Sequence, residues 1–279
     1  MKKRASRAAA SAAVAASLIW GASDEESAAK GPHPDRSDQG VSDSPQCRTG
    51  QLGCVTQVIG EMNRRFRALA RACNHDAIFS LVYLRTTQVY RDTADSIGYA
   101  DVESVTREDA LFADYYFRAY DAYHEQNGSV PPAWQIAFDT AAARTLSAQG
   151  NAFLGVNAHI QRDLPFVLYE LYTRGDAVSH EDHTLVNTFL AQVDVAPEIS
   201  ASFDPTYPPG GSVTLIAAWR EAAWQSFERL RDADPVQRVV VAAEIEYAAA
   251  AAGAAIAASL AYPPGSDSTE RDAYCEAAR

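Results

Sequence analysis

The stretch GNAFLGVNAHIQRDLPFVLYELYTRG, residues 150–175, carries the most apolar helical pattern of the chain. Its apolar residues recur at three- and four-residue steps, at Val156, Ile160, Leu164, Val167 and Leu171. This spacing predicts a helix with one buried face. We therefore expect the other segments of the chain to pack around this helix.

A polar pair interrupts the apolar helix. His159 and Asp163 are four residues apart, so their side chains stand one turn above the other and can hold one ion or one substrate group. Pro165 cannot donate a hydrogen bond to the carbonyl of Gln161, which predicts a kink beside the pair. Asn157 either bonds to neighbouring backbone or points into a site with His159. We predict His159, Asp163 and Asn157 as candidate catalytic residues, although the pattern names no reaction.

Part of this stretch resembles a known family. Residues 155–165, GVNAHIQRDLP, resemble the signature of the bacterial family catalogued as domain of unknown function 5995. YLRTT at residues 83–87 and DHTLVN at residues 182–187 extend the resemblance, which runs from about Ile78 to Val193. The resemblance implies a helical domain, and it implies no activity because the family has no established one.

Composition divides the chain into three parts. Residues 1–23 have a basic start, an uncharged Ala-rich run and small residues at the end, which is the order of a cleaved secretory signal. Residues 24–46 are rich in Ser, Asp, Pro and Gly, and we predict a disordered linker there. Residues 47–279 are predicted to form one helical domain, since 47% apolar content is enough for one sizeable core. We expect the protein to be secreted or extracytoplasmic.

The charge of the chain argues against some partners. The formal net charge is −12. Removal of residues 1–23, which hold basic residues and no acid, would make it −16. Such a charge repels phosphate backbones and anionic lipid surfaces. We therefore predict no nucleic-acid partner, leave a small-molecule ligand or substrate open, and make no prediction of oligomeric state.

The four cysteines are Cys47, Cys54, Cys73 and Cys275. No Cys-x-x-Cys occurs, so the pattern is unlike a metal knuckle. Export favours disulfides, and three pairings are possible. Pairing Cys47 with Cys54 would close the start of the domain, and pairing Cys73 with Cys275 would tie down the last residues. A buried free Cys73 is the alternative.

From Cys54 onward the patterns are helical. One stripe is formed by Val55, Val58, Ile59, Met62, Phe66 and Leu69. Thr106 with Asp109 resembles a capping box that would open a helix, and Ser179 with Asp182 gives the same signature. The last two helices are predicted over residues 213–230 and 236–262. The sequence thus predicts an all-α, bundle-like domain with a kinked central helix.

The last helix has two interpretations. Residues 248–260 contain only Ala, Gly, Ile, Ser and Leu, which permits a membrane span. Glu244 and Glu246 lie just before them, and small residues also allow close packing between helices. We favour packing, and we predict no stable membrane span once the signal is cleaved.

The histidines suggest a metal site. His75, His159, His180 and His183 each have a carboxylate nearby in sequence, and His180 and His183 lie three apart on one side of a helix. By analogy of spacing, such a set resembles a zinc site of the helical phosphoesterase type. We predict His159, Asp163, His183 and His180 as metal ligands, with zinc as the candidate metal. Whether His75 and Asp76 join them is left open.

Structural interpretations compete with each of these assignments. His159 can be a core histidine bonded to Asp163, Asp163 can cap the helix that restarts at Pro165, and His180 and His183 can lie on a solvated face. Tyr116, Tyr120 and Tyr123 with Phe112 form an aromatic stripe, in the core or around a pocket. Two functions therefore remain: a metal-assisted hydrolase of a phosphoester-like substrate, or a non-catalytic ligand-binding or structural module.

Overall fold

The computed structural model describes residues 40–210 and 213–279. Within them the regular elements are helical, and the β contact is an isolated bridge between Leu146 and Ala261. The predicted all-α fold class is confirmed. The helices are the 3₁₀ helix Val41–Asp43, α1 Pro45–Arg48, α2 Gly53–Arg71, α3 Ala77–Ile97, α4 Val102–Glu125, α5 Pro132–Ala142, α6 Ala148–Asn157, α7 Leu164–Arg174, α8 His180–Leu190, α9 Ala196–Ser202, α10 Val213–Asp232, α11 Pro235–Leu260 and α12 Thr269–Ala277.

The first long helix shows how the apolar pattern directs the packing. The stripe predicted on α2 is buried from Val55 to Leu69, except that Phe66 is only partly buried. This stripe packs on α3 and α4. Burying one apolar face of each helix in this way is the main source of stability in a helical domain.

The central helix contains the predicted irregularity, but its form is a π turn. Residues Ala158–Asp163 are π-helical and join α6 to α7 without a break. The N–H of Leu164 donates to the carbonyl of His159, five residues earlier. Pro165 follows at once and has no N–H to continue the α pattern. The wider turn therefore changes the rotational register between α6 and α7 beside the polar pair.

A glycine lets the central helix approach α3. A Cβ atom on Gly155 would lie 2.2 Å from the ring of Phe79, which is too close for any side chain. The glycine of the GVNAH segment is thus required by packing. It brings the π turn close to the aromatic residues of α3.

The last long helix packs on α5, α6 and the π turn. It begins with a complete capping box between Asp234 and Gln237. Its buried residues, Val241, Ile245, Ala249 and Gly253, recur every four positions. By length and composition α11 is the one described helix that could cross a membrane, and 22% of its most apolar window is buried.

Both predicted disulfides are present. Cys47 bonds to Cys54 and Cys73 bonds to Cys275, so the alternative of a free Cys73 is wrong. The last residues of the predicted linker are fixed to the domain, because the N–H groups of Val41 and Ser42 donate to Asp114. Residues 40–46 therefore belong to the folded part rather than to a linker. The predicted signal and the linker up to residue 39 lie outside the described residues.

Candidate functional site

A pocket of about 110 Å³ lies beside the π turn. Its volume is comparable with that of protein cavities of roughly 150 Å³ that hold a benzene-sized guest. Five elements build its wall: α3 with Phe79, Val82, Tyr83, Thr86 and Tyr90, α4 with Val105, Glu108, Asp109 and Phe112, the α6–π segment with Val156, His159 and Ile160, α8 with Val186, Phe189 and Leu190, and α10 with Ile216 and Arg220. The pocket is thus mainly apolar and aromatic, with few polar groups.

His159 lines the pocket and also bonds to a buried carboxylate. Its Nδ1–H donates to Oδ2 of Asp163 at 3.0 Å, and both side chains are buried. Its Nε2 has no hydrogen-bond partner among the described residues. Since Nδ1 carries the proton, Nε2 has a free lone pair, and His159 lines the pocket. At Nδ1, His159 is therefore a hydrogen-bonded core histidine, as one interpretation predicted. At Nε2 it has no partner among the described residues.

Asp163 is fixed from three sides. Besides His159, the indole N–H of Trp134 donates to Oδ2 at 2.9 Å, and Arg162 donates to Oδ1 at 2.9 Å. Arg162 also bonds to Glu246 of α11. The Asp163 side chain accepts no cap bond, so its role as a helix cap is not observed. These donors satisfy a carboxylate that would be costly to bury alone.

The imidazole is held between aromatic rings. Phe112 stacks on it with ring centroids 3.4 Å apart and planes 5° apart, and Tyr83 lies at 4.5 Å. Burial lowers the pKa of His159, and the bond to Asp163 only partly opposes this effect. His159 is therefore neutral at ordinary pH, with a fixed ring plane.

Two carboxyl groups also face the pocket. Glu108 and Asp109 make no hydrogen bond or ion pair with any described residue, and Oδ2 of Asp109 is buried. Burial raises the pKa of Glu108 to about 7, although the charge of Arg220 opposes the shift. Burial, with the nearby Glu108, raises the pKa of Asp109 to about 8. Perturbed acids in a pocket are typical of functional sites.

Arg220 supplies a buried cation at the opposite wall. Its Nη2 donates to the carbonyl of His183 at 2.8 Å and to Nδ1 of the same residue at 3.2 Å. The His183 Nε2–H donates back to the carbonyl of Arg220 at 3.0 Å. Burial and the charge of Arg220 lower the pKa of His183 to about 2. His183 therefore positions Arg220, and both of its ring nitrogens are engaged.

The predicted metal ligands do not form one group. Among the described residues no set of three or more His, Cys, Asp or Glu side chains is placed to hold a metal ion. His159 and Asp163 are together, but His183 is engaged by Arg220, and the exposed His180 bonds to Glu221 of α10. The fit of these residues to zinc is therefore poor.

Two other predicted candidates lie away from the pocket wall. Asn157 donates to the carbonyl of Ala249 on α11 and accepts from Gln161, so it joins two helices. His75 bonds to Asp272 and Arg271 near the C-terminus, while Asp76 pairs with His124. The neighbours His75 and Asp76 thus contribute to separate contacts, and neither joins His159.

The sequence patterns did not predict Glu108, Asp109 or Arg220 as residues of the site. Asp109 was predicted to cap a helix with Thr106, but α4 begins at Val102, and Asp101 is its N-cap. A usable signal existed: each missed residue interrupts an apolar helical stripe, as His159 does. Glu108 and Asp109 lie between Val105 and Phe112, and Arg220 lies between Ile216 and Trp224.

Fold and site together define an all-helical domain with an aromatic, acid-containing pocket beside a π turn. The chain belongs to the family of unknown function DUF5995, whose model matches residues 55–259. This confirms the resemblance seen in the sequence and extends it on both sides. The matched segment includes every residue that lines the pocket and excludes Cys47, Cys54 and Cys275. No curated protein and no solved structure matches the chain.

Proposed function

We propose that the pocket is the active site of a hydrolase in which His159 is the general base. The observation that carries this proposal is the difference between the two nitrogens of one imidazole: Nδ1 is held by buried Asp163, and Nε2, on a residue that lines the pocket, has no partner among the described residues. A carboxylate that orients a neutral histidine is the arrangement that proton abstraction needs.

The proposed step uses water and a small ester. Nε2 of His159 takes a proton from water as the water oxygen attacks the carbonyl carbon. The protonated imidazole then returns this proton to the leaving alcohol as its bond to carbon breaks. Asp163 stabilises the imidazolium between the two events. Arg220 Nε and the Tyr83 hydroxyl, neither of which has a partner among the described residues, are candidate donors to the negative carbonyl oxygen.

This proposal replaces the metal-assisted version. A catalytic zinc needs about three protein ligands, and His159 is the one member of the predicted set that lines the pocket. Asp163 already accepts three hydrogen bonds, and recruiting it would disrupt them. The imidazole itself is therefore assigned the role of the base.

The test compares two buried histidines. Hydrolysis of a panel of small carboxylic and phosphate esters is measured for the wild type, His159→Gln, Asp163→Asn and the matched control His75→Gln. We expect His159→Gln and Asp163→Asn to lower kcat/KM on the best ester by about 10²–10⁴-fold, while His75→Gln, at a temperature where it stays folded, keeps the rate. Activity that survives His159→Gln, or that requires added zinc after chelation, would contradict the proposal.

The second candidate is a binding protein without catalysis. It is favoured by the wall of the pocket, in which apolar and aromatic residues outnumber polar ones. In that case His159 is a hydrogen-bond acceptor for a ligand. His159→Gln would then change the affinity for a bound small molecule, and no ester of the panel would be turned over.

We also propose that the protein is exported. The two disulfides favour an oxidising compartment, and residues 1–23 have the composition of a cleaved signal. N-terminal sequencing of protein from the medium or periplasm should begin near Asp24. A secreted chain that begins at Met1 would refute the cleavage.

A further inference from the structure

We propose that the pocket selects a small organic cation, whose ammonium group sits between Glu108, Asp109 and the surrounding aromatic rings. This inference rests on the proposed function insofar as the pocket must take a small molecule. It adds the charge of that molecule, which the role of His159 as a base does not define.

The balance of acceptors and donors supports a cation. The unengaged acceptors on the wall are the carboxyl groups of Glu108 and Asp109 and the Nε2 of His159. The donors without a partner among the described residues are Arg220 Nε and the Tyr83 hydroxyl. With both carboxyl groups ionised, two negative charges face one positive charge. A ligand that brings a positive charge satisfies this excess.

The polar side chains of the pocket that lack a partner among the described residues are buried in its wall. His159, Arg220 and Tyr83 are 3%, 4% and 5% exposed. Leaving such groups without partners costs stability, which natural proteins accept mainly at functional sites. The acidic pair therefore shares its pocket with buried polar groups that have no partner among the described residues.

The rings around the carboxyl groups suit an ammonium group. Phe79, Tyr83, Tyr90, Phe112 and Phe189 all line the pocket. The faces of aromatic rings attract cations, and cages of such rings with a carboxylate recognise alkylated ammonium groups. A pocket of about 110 Å³ limits the ligand to roughly the size of a small ring.

The position of the acids relative to His159 predicts the orientation of the bound ligand. Glu108 lies one turn before Phe112 on α4, and Phe112 stacks on His159. One helical turn is about 5 Å. An ammonium group beside Glu108 would thus leave the other end of a short molecule near Nε2, where the proposed chemistry occurs.

Binding should depend on pH in a defined direction. The groups that face the acids are Tyr83 and Tyr90 from α3, His159 from the π turn and Arg220 from α10, with Asp182 of α8 close enough to act through its charge. A cation favours ionised carboxyl groups, and burial raises the pKa of Glu108 to about 7. Burial raises the pKa of Asp109 to about 8, so affinity for a permanent cation should fall as the pH is lowered through about 8 and then 7.

The experiment uses three probes of the same size and different charge. Choline is the cation, neohexyl alcohol has carbon in place of the nitrogen, and pivalate is the anion. Binding to the full-length protein is measured by calorimetry at about pH 8, for the wild type, Asp109→Asn, Glu108→Gln and the control Glu103→Gln, which alters an exposed acid of the same helix. Circular dichroism checks that each variant is folded.

We expect choline to bind at least tenfold more tightly than neohexyl alcohol, and pivalate to bind weakest. Asp109→Asn and Glu108→Gln should remove this preference while the alcohol still binds, and Glu103→Gln should keep it. Equal or tighter binding of the alcohol or pivalate, or an unchanged preference for choline in both pocket variants, would overturn the cation assignment and leave the base role of His159 standing. If no probe binds and hydrolysis does not depend on His159, both proposals fail.

Discussion

The pocket and the C-terminal clamp each bury a histidine beside an aspartate, yet they differ in how completely the histidine is satisfied. We define the clamp as His75, Arg271, Asp272 and the disulfide Cys73–Cys275. In the clamp, His75 Nε2 bonds to Asp272 and Nδ1 bonds to Arg271. In the pocket, His159 has a partner on Nδ1 alone among the described residues.

The difference separates a structural role from a functional one. A buried network with every group paired stabilises one arrangement of the chain. A buried polar group left unpaired beside a pocket costs stability, and this cost is offset only when a ligand binds to the group. The family match contains the whole pocket wall together with Cys73 and His75 of the clamp, and it ends before Arg271, Asp272 and Cys275.

The largest expected effect concerns the disulfide of the clamp. We expect the double substitution Cys73→Ser with Cys275→Ser to lower the free energy of unfolding by about 2–5 kcal/mol, because the bond closes a long loop in the unfolded chain. The sequence separation is 202 residues, against 7 for Cys47–Cys54. Urea denaturation measures the loss.

The second disulfide is the matched control for this prediction. Removing Cys47–Cys54 should cost about 3 kcal/mol less on the loop-entropy account. Equal losses for the two double variants would show that the clamp stabilises through local contacts instead of chain closure. Choline binding by either variant, where it is folded, should be unchanged, since both disulfides lie outside the pocket.

A smaller loss of unfolding free energy is expected when either of the two histidines is replaced, and its size should differ between them. We expect His75→Phe to cost about 1–3 kcal/mol, because Oδ1 of Asp272 then has no partner among the described residues. His159→Phe should cost less, because Asp163 keeps Trp134 and Arg162 and an unpaired nitrogen is removed. Urea denaturation at about pH 7 compares them, and an equal or larger loss for His159→Phe would contradict the comparison.

A further prediction concerns the pH dependence of stability caused by Asp109. Burial raises its pKa from 3.8 to about 8, so the folded protein holds a proton that the unfolded chain has released. The free energy of unfolding therefore falls as the pH rises between these values, by at most about 1.4 kcal/mol per pH unit. Asp109→Asn removes this loss.

Thermal unfolding from about pH 5 to about pH 8 tests this sign. Asp109→Asn should become steadily more stable than the wild type as the pH rises. Glu103→Gln, on the exposed side of α4, should follow the wild type. A difference between Asp109→Asn and the wild type that stays constant with pH would mean that this carboxyl group is not held protonated by the fold.

Local patterns predicted much of the fold. Apolar spacing defined the buried stripe of α2, Ser179 does cap α8, and the last two long helices are separated between residues 230 and 236 as predicted. Pro165 correctly marked an irregular helix, but the missing N–H could be accommodated by a kink or by a wider turn. The choice of a π turn depends on how α6 and α7 pack on different neighbours, which spacing does not encode.

The site was predicted only where its residues share one helix. His159 and Asp163 are four apart, so their contact follows from helical geometry. Glu108, Asp109 and Arg220 come from α4 and α10, and no local rule tells which helix faces meet. His183 was predicted to bind a metal together with His159. Its partner is instead Arg220, which lies on a helix distant in sequence.

The π turn makes the site depend on the number of residues in the chain as well as on their identity. A π turn holds one residue more than the α-helical path needs, and deleting one residue restores regular helix. Each residue of an α-helix turns the next by about 100°. A one-residue deletion between His159 and Asp163 would therefore shorten their spacing from four residues to three and replace the wide turn by a regular one. The geometry of the His159–Asp163 pair thus depends on how many residues lie between them, and under the proposed function a change in length there is expected to alter activity.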